Sequence, residues 1–465
     1  MKGRKLTDEY IKRSIIRICK FIHIILTIAV YSVFLHYYND HYNENGVGHT
    51  RFILFVLLYS IVLLFSLRTY KSYDFGLSES SMLVYSQTLA DIIAGGVFYV
   101  VFVIANSELF TPVPLIMMII LQVILNIVLS VAINKLYFKI NKPKKTVLIY
   151  DNEASIRRIG DAYSRKKNFN VVKEIKADEN DTGWLAEIED CEAVFVAGLS
   201  QKTRDIILKI CIEKSKECYT APYIDDIIMK GAKHMYMFSV PVFEISRAEL
   251  KIEYALIKRI FDIFCAALGI VLLSPLMALI AIAIKVGDGG PVLYKQVRLT
   301  TNGKHFKIYK FRSMTVNAES DGVARLAGEN DSRITPVGKL IRACRLDELP
   351  QLFNILKGDM AIVGPRPERP EIAAQYEEVL PEFNLRLQVK AGLTGFAQIY
   401  GRYNTEPYDK LQMDLMYINE MSFITDLRLI FATIKILFIK ESTQGTADGQ
   451  TTALANSEER EVTLK

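Results

Sequence analysis

The chain has 465 residues, 51% of them hydrophobic and 23% charged, with a formal net charge of +6 and a mean hydropathy of +0.19. That length holds two or three domains, and the mixture excludes a single soluble globule in favour of a membrane part joined to a water-exposed part. The modest positive charge suits anionic lipid or phosphorylated ligands; no nucleic-acid partner is expected. The six cysteines form no Cys-x-x-Cys pair, so they read as reduced thiols with neither a metal site nor a disulfide framework.

Four apolar stretches, near 15–38, 52–67, 83–105 and 113–134, are long enough to cross a bilayer. No small-residue cleavage site follows the first, which reads as a permanent anchor. Lys and Arg flank the stretches alternately. Lys2, Arg4, Lys5, Lys12 and Arg13 precede the first, Arg68 and Lys71 lie in the second loop, and Lys135, Lys139, Lys142, Lys144 and Lys145 follow the fourth. The segments "NDHYNENGVGHT" in the first loop and "NSELFTP" in the third carry neither, so both ends of this region are predicted cytoplasmic. Asp91, inside the third stretch, reads as a bundle-facing polar residue near a helix end. A fifth apolar stretch, 260–286, is basic at both flanks and carries Ser274-Pro275 in its middle. Proline interrupts a helix, so this stretch is expected to enter the bilayer and return to the same face.

Residues 146–245 read as a soluble α/β domain. "TVLIY", "NVVKEI" and "EAVFVAG" have strand character, while 154–166 and 202–215 have helical spacing. The alternation predicts a parallel, Rossmann-like sheet. The first turn, "DNEAS", has no glycine and two acids, so a structural or regulatory role is expected in place of a nucleotide site.

The chemistry-bearing segments lie beyond residue 285. "KHFKIYKFRSM" alternates basic and apolar residues, and Lys310, Arg312 and Ser313 are candidates for phosphate binding. "VGPRPE" holds Arg366 between two prolines, which limits its backbone freedom and favours anion binding. "CRLDELPQLFN" sets Asp347 and Glu348 at an expected helix start, with Asp347 as a cap. A carboxylate kept ionised there can act as nucleophile or Mg²⁺ ligand.

With "KRIFDI", the mid-helix Ser-Pro, "KFRSM", "LDELPQLFNILKGDMAIVGPRPE", "GLTGFAQIYGR" and "DLRLIFATIKIL" in this order, the region from Lys258 to about Lys440 resembles the bacterial sugar transferases, the monotopic polyprenyl-phosphate phosphoglycosyl transferases. The whole chain looks like the large members of that family, which prime exopolysaccharide, capsule or O-antigen synthesis. The resemblance implies a multidomain membrane protein: a four-helix transmembrane bundle (1–140), a Rossmann-like α/β domain (146–245), a mainly α catalytic domain (255–440) with a re-entrant helix (258–286), and a disordered tail (441–465). It implies a location in the bacterial inner membrane, with the catalytic domain cytoplasmic, and a homodimer. Asp347 would attack the β-phosphate of a UDP-sugar and release UMP; undecaprenyl phosphate would then take the sugar phosphate. Glu348 would position Mg²⁺ or receive a proton, Asp347 and Glu348 would hold the metal, and Arg366, Lys310, Arg312, Ser313 and Arg298 would hold phosphate. Ser274 and Pro275 would form the break of the re-entrant helix. Thr300, Lys390-Ala391 and Phe396 depart from the family's usual pattern. The competing reading is a non-enzymatic membrane sensor or scaffold with soluble partner-binding domains.

Overall fold

The computed structural model describes residues 2–42, 49–178 without 154, 157, 158 and 161–164, and 183–437 without 249, 317, 319–330, 332 and 402–404. The chain divides into two compact units, 1–221 and 222–465. The expected tail, 441–465, lies outside the described residues.

Four helices open the first unit: α1 (Lys2–Tyr42), α2 (His49–Thr69), α3 (Ser80–Asn106) and α4 (Val113–Ile140). All four are long and apolar enough to cross a membrane. They turn aliphatic side chains such as Ile22, Leu54, Val100 and Ile124 outward and bury aromatics between them. Tyr31 stacks on Tyr59 at 3.8 Å, with Phe98 edge-on to Tyr31. Asp91 faces the bundle interior as expected, but at mid-helix, because α3 is one uninterrupted helix.

The same unit continues with β1 (Lys144–Tyr150), β2 (Phe169–Lys176), β3 (Ala193–Ala197), α5 (Gln201–Glu213) and β4 (Glu217–Thr220). The strands form one sheet in the order β2-β1-β3-β4, every pair parallel. Buried apolar runs in β1 and β3 put them at its centre, with both faces covered. Val147, Ile149, Val194 and Val196 serve the core on one face; Leu148, Phe195 and Ala197 serve the other. The helix expected over 154–166 falls partly outside the described residues. At the turn after β1, Asn152 Oδ1 accepts the Ser155 N–H at 2.8 Å, so a side chain takes an amide that a phosphate site would leave open.

The second unit begins with α6 (Ile224–Gly231) and the hairpin β5 (Lys233–Met237)–β6 (Val240–Glu244). Ile224 and Ile227 belong to this unit's core, so residues 222–245 group here and not with the parallel sheet to which their sequence position assigns them. The 37-residue α7 (Ile252–Asp288) follows, then the antiparallel pair β7 (Leu293–Leu299) and β8 (His305–Phe311). Next come α8 (Pro336–Ala343), α9 (Gln351–Lys357), β9 (Ala361–Val363), α10 (Pro370–Val379), β10 (Gly392–Thr394), α11 (Phe396–Tyr400), α12 (Pro407–Asn419) and α13 (Phe423–Leu437).

One helix runs through Ser274-Pro275, where an interruption was expected. Pro275 has no N–H for the carbonyl four residues back, Val271. The Ser274 hydroxyl donates to that carbonyl at 2.8 Å, so the motif replaces the bond that the proline removes. Both arms of α7 dock on the same unit. In the first arm, Ala266 lies in the main core, Arg259 donates to the Ile355 and Leu356 carbonyls, and Asp262 accepts the Ile362 N–H at 3.1 Å. In the second, Ile280 and Ile284 pack with Phe311 and Ile341. Val271, Leu272, Ser274, Pro275 and Leu276, between the arms, are exposed.

Asn354 fixes β8 to α9. Its Oδ1 accepts the Tyr309 N–H at 2.9 Å and its Nδ2 donates to the Lys307 carbonyl at 2.8 Å, so a fully buried side chain acts as a strand partner. Asn354→Ala leaves one donor and one acceptor unpaired, and a loss of roughly 2–4 kcal/mol is expected. Denaturant unfolding of the full chain checks it; a loss below about 1 kcal/mol contradicts the assignment.

Candidate active site

Helix α8 ends at Cys344, and Arg345 reverses the chain in the left-handed region (φ 53°). Glycine is the usual residue in that conformation. A non-glycine residue there costs about 1–2 kcal/mol, which points to a use for the Arg345 side chain. The reversal delivers Leu346–Glu348 as a single 3-10 turn, and α9 starts only at Gln351, without a side-chain cap. Asp347 is therefore not the cap that its sequence context predicts: the left-handed Arg345 and the intervening turn separate it from the helix start.

Glu348 is the centre of the cluster. Its Oε1 takes Lys310 Nζ at 2.8 Å and Arg366 Nη2 at 3.1 Å. Lys310 shares the inward face of β8 with the buried Phe306 and Ile308, because residues two apart on a strand point the same way. Burial alone would raise the Glu348 carboxyl, but the Lys310 and Arg366 charges overcome it and hold it well below the usual range. Asp347 goes the other way. Burial pushes it up, the Glu348 charge adds to that, and Lys310, Arg342 and Arg366 oppose it. The two neighbouring carboxyls are thus pushed in opposite directions by their surroundings. Burial lowers Lys310 and Arg345, with Glu348 opposing in each case.

A second layer holds the Pro365-Arg366-Pro367 loop. Arg298 Nη1 donates to the Pro367 carbonyl at 3.1 Å, and Arg386 Nη2 donates to the Arg366 carbonyl at 2.8 Å. Arg386 also pairs with Asp414 at 2.8 Å and lies 3.6 Å from Glu368. Burial would raise Glu368, but Lys410, Arg386 and Arg298 keep it down at about 2. Its ionised form therefore stabilises the fold above the ordinary glutamate value, and that contribution is lost as pH falls towards 2. Gly364 lies so close to the Lys390 carbonyl that a Cβ would collide with it.

Of the expected site residues, the structure brings Lys310, Glu348 and Arg366 into direct contact, with Asp347 coupled to all three. Arg298 supports the loop that carries Arg366. Arg312 is buried with its guanidinium against Gly290, and Ser313 offers its backbone carbonyl to Thr335. Ser274 and Pro275 lie on the exposed stretch of α7. Thr300 departs from the family pattern for a visible reason: its hydroxyl donates to the Asp359 carbonyl and accepts the Ala391 N–H. Sequence reasoning gave no role to Arg386, Lys410 or Asp414, which no local pattern marks, and in "VGPRPE" it singled out Arg366 but not Glu368. For Arg345 the signal was present, a bulky residue just after a helix end. A cleft of about 1450 Å³, bounded by Arg247, Lys251, Tyr254, Asn302, Gln388 and Phe423 among others, contains none of the expected site residues.

The site is a buried cluster of cations around two acids, in a unit that also carries a helix long and apolar enough to cross a membrane. The family description "Bacterial sugar transferase" matches residues 253–440. An exopolysaccharide production protein of Rhizobium leguminosarum bv. phaseoli is 40% identical over 198 residues, covering 41% of this chain and 96% of that protein. A UDP-glucose:undecaprenyl-phosphate glucose-1-phosphate transferase of Klebsiella pneumoniae is 42% identical over 208 residues, 44% of each chain. A UDP-N-acetylgalactosamine-undecaprenyl-phosphate N-acetylgalactosaminephosphotransferase of Aeromonas hydrophila is 43% identical over 187 residues, 40% of this chain and 44% of its own. The matched region thus spans less than half the length of the Klebsiella and Aeromonas relatives. The chain belongs to the bacterial sugar transferase family.

Arg345→Gly is expected to relax the turn and raise stability by up to about 1 kcal/mol while weakening the site's hold on anionic substrate. Thermal unfolding and a substrate titration of the same variant check both halves. Unchanged turnover and affinity would leave Arg345 with no part in the site.

Proposed function

We propose that the protein transfers a sugar 1-phosphate from a UDP-sugar to undecaprenyl phosphate at the cytoplasmic membrane face, the first step of a surface-glycan pathway. The observation that carries this is the Glu348 carboxylate shared by Lys310 and Arg366, with Asp347 beside it in the same turn. The relatives named for this chemistry support it.

Asp347 is the nucleophile. Its ionised carboxylate oxygen attacks the β-phosphorus, the bond to the bridging oxygen breaks, and UMP leaves with that electron pair. The acyl phosphate then carries the sugar. A phosphate oxygen of undecaprenyl phosphate attacks the same phosphorus, and Asp347 is released as carboxylate. Lys310 and Arg366 offset charge on the phosphoryl oxygens, while Glu348 keeps both cations in place. Two carboxylates are a sufficient protein share for Mg²⁺, which keeps several waters and takes its remaining ligands from phosphates. Among the described residues no group of three His, Cys, Asp or Glu side chains could hold a metal alone. Asp347 and Glu348 would therefore hold Mg²⁺ together with the diphosphate, and the ion would neutralise phosphate charge.

The two docked arms of α7 favour a helix that enters the bilayer and returns, with the exposed Val271–Leu276 stretch in lipid. A spanning helix would carry its second arm to the far side, away from Phe311 and Ile341. The sheet order β2-β1-β3-β4 and the closed turn after β1 support reading the middle domain as Rossmann-like but structural or regulatory.

Asp347→Asn is expected to reduce UMP release by more than about 10³-fold and to abolish protein-bound label from a radiolabelled UDP-sugar; near-normal turnover would remove Asp347 as nucleophile. Because burial raises Asp347, the acid limb of kcat/KM is expected above the ordinary aspartate value of about 3.9. Lys310→Met should move that limb further up, since it removes a cation that favours the charged form; a fixed limb would assign it to another group. A tag added after residue 465 is expected to be cleaved by protease only from the cytoplasmic side, and protection there would sink the re-entrant reading.

A further inference from the structure

The interior of the N-terminal bundle carries a polar network that the transfer chemistry does not use. On α4, Gln122, Asn126, Ser130 and Asn134 recur at every fourth residue, and all four are buried. Ser130 donates to Gln87 on α3 at 2.7 Å, and Gln122 donates to the Tyr59 hydroxyl on α2 at 2.8 Å. At the centre, His23 Nε2 on α1 meets Asn126 Oδ1 at 3.0 Å, and Asn126 Nδ2 donates to Asp91 Oδ2 on α3 at 2.7 Å. His23 Nδ1 meets the Tyr73 hydroxyl at 2.8 Å. His23, Tyr59, Asp91 and Asn126 each lie within about two residues of the middle of their span. The network thus gathers around the middle of the four helices, with Tyr73 reaching it from the α2–α3 connection.

Polar glue between helices needs only neutral groups, and Asp91 and His23 are ionisable. Among the described residues no lysine or arginine pairs with Asp91. A lone carboxylate at that depth costs several kcal/mol. The hydrogen-bond pattern offers a way out. Asn126 Oδ1 only accepts, so Nε2 of His23 carries hydrogen; Asn126 Nδ2 only donates, so Asp91 Oδ2 accepts. That arrangement is the same for an imidazolium facing a carboxylate and for a neutral imidazole facing a carboxylic acid. Both hold one proton and no net charge. The titratable groups facing the pair are Tyr59 from α2 and Tyr73 from the α2–α3 connection; α4 presents amides and a hydroxyl. Lys20, a turn before His23, interacts electrostatically with Asp74, beside Tyr73, and with Arg17. Gln122 Oε1 and Ser72 Oγ are buried without a partner, which leaves acceptors for water in the same interior.

We infer that the bundle contains a mid-membrane proton-binding site in which Asp91 and His23, bridged by Asn126, hold one proton between them. The site binds a proton that the unfolded chain releases above neutral pH, so its stabilising effect is present at neutral pH and declines as pH rises. The test is denaturant unfolding of the full chain in mixed micelles, across pH 6–9 at fixed sodium and across sodium at fixed pH, for wild type, Asp91→Asn, His23→Gln and Asn126→Leu. The wild-type unfolding constant is expected to rise by up to about tenfold per pH unit above neutral. Asp91→Asn should flatten that rise. His23→Gln, which leaves the carboxyl to hold the proton alone, should keep it but displace it along the pH axis, and Asn126→Leu should displace it too. A uniform drop in stability at every pH for all three variants would make the network structural only. A response that follows sodium at fixed pH would replace the proton with a metal cation. Either result overturns the inference. Should Asp91→Asn fail to fold, an unmoved midpoint in His23→Gln has the same force.

Discussion

The second unit is organised around one shared anion. Glu348 sits between Lys310 and Arg366, and each of the three arrives on a different piece of chain: a 3-10 turn, a strand and a proline-locked loop. Each carrier has its own support. Asn354 grips β8, Arg298 and Arg386 hold the loop, and the left-handed Arg345 sets the turn. Removing one partner of a buried pair costs roughly 3–5 kcal/mol because a charge is left unpaired, against a typical domain stability of about 5–15 kcal/mol. The cluster is therefore as much a condition of the fold as a feature of the site. It holds more cations than acids, since Arg345 and Arg342 also face Asp347 and Glu348. That excess leaves the cluster with a positive balance, and the fold keeps Lys310 and Arg366 near each other despite their repulsion.

The membrane helix is tied to the same parts. Arg259 of α7 donates to the last carbonyls of α9, the helix that follows the Asp347–Glu348 turn and carries Asn354. Cations at a helix C-terminus are favoured by its dipole as well as by the free carbonyls. Lys258, next to Arg259, and Tyr254, a turn before Lys258, share Asp426 of α13, and Tyr417 of α12 donates to the other oxygen of that carboxylate. A shift of α7 would thus pull on the helix that follows the Asp347–Glu348 turn.

What could be read from the sequence was what depends on periodicity and short-range pattern. Apolar runs placed four spans, and buried stretches such as "TVLIY" placed the central strands. Flanking prolines singled out Arg366, and paired acids singled out Asp347 and Glu348. What could not be read depends on contacts far apart in the chain or on a single torsion. The capping reading of Asp347 failed because one left-handed residue, Arg345, inserts a turn before the helix. Pro275 suggested an interruption, and the serine before it supplies the missing hydrogen bond. Arg312 and Lys310 looked alike as basic residues two apart, yet only Lys310 reaches the Glu348 carboxylate; Arg312 lies past the strand, against Gly290. The Arg386 network joins the "VGPRPE" loop to two distant segments, around 386 and 414, that carry no motif.

The chain meets the cost of burying acids in two ways, and the surroundings explain which is used. In the second unit the acids lie near water-exposed chain, where lysine and arginine can reach inward while part of each side chain remains at the surface. Arg366 does so, with 39% of its side chain exposed. Glu348 can therefore remain fully ionised. Asp91 lies at mid-span, where a lysine or arginine would need to be desolvated along with it. Amides and an imidazole take the place of cations there, and neutrality must come from a proton. The same chemical group thus carries a permanent charge in one unit and a conditional one in the other. The conditional one is the more sensitive to conditions, because a proton can leave where a covalently attached guanidinium cannot.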